Sequence, residues 1–77
     1  MSVSTDYAFD IPVPLLEDQT LIRTVSEAAE IVRSNMRRRF TMQGLNAVLM
    51  LERAFAGAEV EEACLAFRAW ATQEGLA

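Results

Sequence analysis

Three groups of side chains in this sequence carry enough chemistry to be weighed as a site. They are the lone thiol of Cys64, the acids Glu59, Glu61 and Glu62, and the consecutive arginines Arg37, Arg38 and Arg39. A cysteine becomes nucleophilic when a histidine, a neighbouring cation or a helix N-terminus stabilises its thiolate. The chain has no histidine, and the residues about one helical turn before Cys64 are Val60 and Glu61. A buried structural cysteine is therefore expected. The three glutamates would bind a hard cation or move protons only if they converged on one point. Spaced around the start of a helix, they instead favour its dipole.

The arginine run is the sharpest polar feature. Beside Phe40 it has the chemistry to hold a phosphate, an RNA backbone or an acidic protein surface. Against that, arginines that follow a helix complement the negative end of its dipole. Consecutive residues also point in different directions, so one ligand face cannot meet all three. The chain lacks lysine as well as histidine. That removes the usual general base near neutral pH, the Schiff-base amine and the common zinc ligand sets. No catalytic, cofactor-binding or metal-binding residue is assigned, and the expectation is that the protein is not an enzyme.

Behind these residues stands a readable order of elements. Residues 1–8 read as a loose arm and residues 9–77 as one domain. Phe9, Ile11, Val13 and Leu15 alternate as one face of a strand. Pro12 and Pro14 fall on the other phase, and their missing N–H groups make this an edge strand. Glu17-Asp18 is the expected turn. Thr20–Val25 follows as a second strand, with Ile22 opposite Val13 and Arg23 pointing outward. Thr24 and Glu27 fit a capping box for a first helix that ends near Asn35, with Ser26 as an alternative cap. Its apolar stripe is Ala28, Ile31, Val32 and Met36, and residues 36–40 form a connection. Thr41 caps a second helix running to about Ala56, with Gly57 as its stop. Leu45, Ala47, Val48, Leu51 and Phe55 make one broad face of that helix, widened by Met42 and Leu49. A helix apolar almost all round is central in the core or part of an interface. A third helix is expected from about Ala58 to Glu74, ending at Gly75. Val60, Ala63, Cys64, Phe67, Trp70 and Ala71 face inward at helical spacing.

Taken together these elements predict an α+β fold, a two-stranded antiparallel β-hairpin packed on three α-helices. A hairpin alone is marginal in water, so its inner face must rest on helices, expected to be the second and third.

At 77 residues there is room for one core, and such a chain buries only roughly 60% of its unfolded surface. Neither an internal disulfide nor a zinc cluster is available, which leaves tight packing or self-association to stabilise it. The net charge of −4 disfavours nonspecific binding to phosphate backbones and anionic membranes. The first ten residues lack the basic start and apolar core of a secretory signal. No apolar run approaches the ~20 residues that span a bilayer. With one cysteine, the expectation is a cytoplasmic protein.

The pattern of Val25, Ala28 and Ala29 at a helix start, Ala47 and Ala54 before Gly57, then Glu61 or Glu62, Ala63, Phe67, Ala71 and Gly75, resembles a family of small bacterial domains of unknown function. The resemblance covers roughly residues 9 to 76 and implies a strand pair followed by three helices. The chain departs from that family after the first helix, where a Trp-Pro and an Arg-Gly are common and MRRRF and Gly44 stand instead. The family has no established activity to carry over.

The functional expectation is a small noncatalytic interaction module that forms a homodimer or binds another protein. Met50 and Leu65 are its candidate contact residues, because each is apolar on a stretch otherwise facing water. The alternative is nucleic-acid or regulatory-factor binding through Arg37, Arg38 and Arg39.

Overall fold

Thr24 is the hinge between the two halves of the fold. A computed structural model describes residues 7–16 and 20–77. In it β1 (Ala8–Pro14) pairs antiparallel with β2 (Leu21–Thr24), and α1 (Val25–Arg38) begins immediately after. Thr24 is extended and its hydroxyl accepts the Glu27 N–H at 3.3 Å. The Glu27 carboxylate reaches back one residue further than a standard capping box, accepting the Arg23 N–H at 2.8 Å. One side-chain pair thus stops the strand and starts the helix.

The hairpin has the expected register at its closed end, with Val13 opposite Ile22. Towards the open end Ala8 lies opposite Thr24. Between these pairs β1 holds four residues, Phe9 to Pro12, where β2 holds only Arg23, and the surplus forms an irregular bulge. The bulge returns Phe9 and Val13 to the buried face but turns Ile11 out, leaving it 66% exposed. This corrects the even alternation that would have put Ile11 in the core. The Glu17-Asp18 turn and residues 1–6 lie outside the described residues. Tyr7, expected in the loose arm, accepts the Val25 N–H through its carbonyl at 2.9 Å.

The helices also shift from their expected bounds. α1 runs through Met36 to Arg38, past the expected end at Asn35, and Arg39 closes it by donating its N–H to the Asn35 carbonyl. α2 (Met42–Ala54) starts at Thr41, whose hydroxyl accepts the Gly44 N–H at 2.9 Å. It ends two residues early, and Gly57 turns the chain at φ 87°. The Tyr7 ring lies where a Cβ on Gly57 would stand. α3 (Val60–Gln73) closes with a Schellman turn across Gly75, in which the Leu76 N–H reaches the Ala71 carbonyl at 2.8 Å. The Leu76 carbonyl then accepts the Leu16 N–H, tying the chain end to the hairpin.

The sheet does not rest on α2 and α3 as expected. β1 lies on α3 and β2 on α1, while α2 packs chiefly against the other two helices. The core is Phe9, Val13 and Ile22 from the sheet; Val25, Ala28, Ala29 and Val32 from α1; Ala47, Leu51 and Ala54 from α2; and Ala63, Cys64, Phe67, Trp70 and Ala71 from α3. Phe67 is central, with ring centroids 6.4 Å from Phe9 and 6.0 Å from Trp70. Its position joins hairpin to helices, and such contacts add to the burial of each ring.

α2 buries its small residues. Gly44, Ala47, Leu51 and Ala54 face in, while Leu45, Val48 and Phe55 are half-buried and Met42 and Leu49 are exposed. A Cβ on Gly44 would stand 2.5 Å from Met36 Sδ, 2.9 Å from Thr41 Oγ1 and 2.9 Å from Trp70 Nε1. The seam between α1, α2 and α3 is closed at that glycine.

Candidate functional site

Two faces gather the charged and exposed apolar residues. The first lies at the α1–α2 junction. α1 and α2 are pinned together there by Arg33, whose guanidinium lies 3.3 Å from the Glu52 carboxylate. Beyond that pair a shallow groove of about 430 Å³ opens between Met36, Phe40, Leu45 and Val48, rimmed by Arg33 and Arg37. Phe40 is 62% exposed. Beside the groove, Met42, Leu45 and Leu49 continue the apolar surface at helical spacing, with Met42 74% and Leu49 52% exposed.

The three consecutive arginines do not act as one group. Arg37 sits in the last turn of α1 on the groove rim. Arg38 donates to the Asn35 side-chain carbonyl at 3.3 Å. Arg39 is the helix cap. Among the described residues neither Arg37 nor Arg39 has a side-chain partner. Arg37 and Arg38 stand in the last turn of α1, where cations complement the negative end of the helix dipole.

The second face lies where β1 crosses α3. The bulge brings Asp10 and Ile11 against Glu61, Cys64, Leu65 and Arg68, around a depression of about 110 Å³. Leu65 is 62% exposed. Glu61 is held above its ordinary carboxylate value, first by a hydrogen bond with the Asp10 side chain, then by the Asp10 charge and by slight desolvation. Two carboxyls thus share one place on the surface. The remaining acids disperse: Glu59 takes the left-handed conformation at φ 54° ahead of α3 and lies 3.6 Å from Arg53, and Glu62 is exposed. Among the described residues no cluster of three or more acids and cysteines is placed to hold a metal ion.

Cys64 is buried, and its thiol donates to the Ile11 carbonyl at 3.8 Å. Burial raises its pKa. Arg68 lowers it by less, while Asp10 and Glu61 add to the rise. The protonated thiol is therefore favoured, the opposite of what a nucleophile needs.

Of the two apolar contact candidates, only Leu65 stands out from the surface. Met50 is half-buried and packs against the core. Among the described residues, the exposed large apolar side chains that sequence reasoning did not single out as contacts are Tyr7, Ile11, Leu16, Leu21, Phe40, Met42 and Leu49. For Met42 and Leu49 the largely apolar character of α2 is the available signal. For Ile11 none is, because the bulge that exposes it has no sequence signature.

No protein-family model, curated protein or solved structure matches this chain. Among the described residues no helix is long and apolar enough to cross a membrane.

Proposed function

We propose that this protein is a noncatalytic interaction module that self-associates, and that the outer surface of α2 with the adjoining α1–α2 groove is its contact region. One observation carries this reading. Phe40, Met42 and Leu49, each more than half exposed, crowd beside half-buried Leu45 and Val48. Scattered apolar residues on a surface need no explanation, whereas a contiguous patch marks an interaction site. A 77-residue chain with a small core also gains stability when such a patch is covered.

Sedimentation equilibrium across a wide concentration range tests the reading. The expected result is reversible association that a Met42→Glu, Leu49→Glu double variant abolishes while circular dichroism stays unchanged. A wild-type protein that remains monomeric throughout overturns it.

A second reading, nucleic-acid or regulatory-factor binding through Arg37–Arg39, is favoured by the guanidiniums of Arg37 and Arg39, which have no side-chain partner among the described residues. It predicts retention on RNA or DNA at low salt that weakens uniformly when the three arginines become alanine.

A further inference from the structure

The groove at the α1–α2 junction and the face where β1 crosses α3 have the same plan and opposite sign. The groove offers an open apolar floor of Met36, Phe40, Leu45 and Val48 with arginines on its rim. The other face offers two protruding aliphatic side chains, Ile11 and Leu65, flanked by Asp10 and Glu61. We infer that these are the two halves of one interface, and that the protein associates head to tail, with Ile11 and Leu65 of one copy entering the α1–α2 groove of the next. This rests on the self-association proposed above and specifies its geometry.

Charge decides between the ways two copies can meet. A symmetric contact of groove with groove would bring two arginine-bearing rims together, Arg33 and Arg37 of each copy. Arg33 is already engaged by Glu52, but Arg37 has no side-chain partner among the described residues. Its charge would be brought towards another cation as the surface around it loses water. Like charges placed across an interface oppose it. A symmetric contact of the acidic faces fails for the same reason. Asp10 and Glu61 already crowd each other within one chain, and Glu61 is harder to ionise as a result. Arg68 is the one cation lining that face, against two carboxyls. Bringing groove to acidic face removes both conflicts. Arg37 meets carboxylates, the Asp10–Glu61 pair gains a cation, and the exposed aliphatics of one surface cover the apolar floor of the other.

A contact between two different surfaces does not close on itself as a two-fold dimer does. It forms a ring if the rotation closes and an open chain if it does not. Each copy then carries one free groove and one free acidic face, and this supplies a decisive test. Phe40→Asp disables the groove and leaves the acidic face intact. Leu65→Asp disables the acidic face and leaves the groove intact. Both side chains are more than 60% exposed, and circular dichroism with thermal unfolding verifies that each variant is folded.

Head-to-tail association predicts that each variant alone is monomeric by sedimentation velocity, and that an equimolar mixture forms a 1:1 heterodimer and nothing larger. Its sedimentation should revert towards monomer as salt rises, because exposed ion pairs are screened. The Arg37→Glu, Glu61→Arg double variant should associate like wild type, although each single change weakens association. If Phe40→Asp abolishes association and Leu65→Asp does not, α2 pairs with itself. The head-to-tail inference is then overturned while self-association stands. If both variants are monomeric but fail to complement, the inference also falls. A wild-type protein that is monomeric at every concentration removes both readings.

Discussion

The α1–α2 groove and the β1–α3 face are built from similar materials by different means. The groove is a product of close approach. Gly44 lets α2 settle against Met36 and Trp70, and the larger residues of α2 that do not fit this seam are left outside as apolar surface. The β1–α3 face is a product of irregularity. A bulge in β1 turns Ile11 outward and sets Asp10 beside Glu61. The first surface is fixed by tight packing of the helical core and the second by a local defect in a two-stranded sheet. Perturbing the seam should therefore destabilise the whole fold, and perturbing the acidic face should leave the stability of the fold nearly unchanged.

The largest expected effect follows from filling the seam. Gly44→Leu places a branched side chain where even a Cβ has no room. Overpacking of this kind costs about 3 kcal/mol, a large fraction of the ~5–15 kcal/mol available to a small domain. A drop in urea midpoint read by both circular dichroism and Trp70 fluorescence checks this. An unchanged midpoint would mean the seam is not closed at that glycine.

A smaller change is expected at the edge of the groove. Thr41→Ala removes the hydroxyl that accepts the Gly44 N–H, which costs about 1 kcal/mol. For a domain of this size that corresponds to a melting point roughly 4–8 °C lower. The loss belongs to the start of α2, so hydrogen exchange should quicken there while β1 and β2 keep their protection.

The smallest effect belongs to the acidic face, and its sign depends on pH. Glu61 has a raised pKa in the fold because its protonated form hydrogen-bonds the Asp10 side chain and the Asp10 charge opposes its ionisation. Its contribution is therefore most favourable below the ordinary carboxylate value and declines as pH rises through that value towards the raised one. Glu61→Gln removes the repulsion, so the variant should melt slightly above wild type at neutral pH. That advantage should vanish at pH values where Glu61 is already protonated. A neutral-pH melting point equal to or below wild type would show that Arg68 or solvent already offsets the Asp10 charge.

Much of the local architecture was written in short-range signals. Thr24 with Glu27 and Thr41 with Gly44 mark two helix starts, because the hydroxyl of an extended threonine accepts the N–H three residues on, a contact made within a single turn of chain. Ala63, Cys64, Phe67, Trp70 and Ala71 announce the inner face of α3, because polar residues occupy the other side and leave one direction for burial. The pairing of Val13 with Ile22 follows from the alternation of the hairpin near its turn. The burial of Cys64 follows from its place on the same apolar phase.

The sequence by itself determined these caps, stripes and the α+β plan, since each depends on residues within a few positions of one another. Tertiary structure alone decided the two surfaces. α2 is apolar on nearly every side, so periodicity offers no preferred direction. The choice falls to the distance at which helices can approach, which selects Gly44, Ala47 and Ala54 for the interior and turns Met42 and Leu49 out. The same packing draws Met50 against the core. In β1 the chain must both pair with β2 and lay Phe9 on Phe67, and the surplus residues bulge to satisfy both. Ile11 and Asp10 end beside Leu65 and Glu61 as a result, a meeting across some fifty residues that no local pattern encodes.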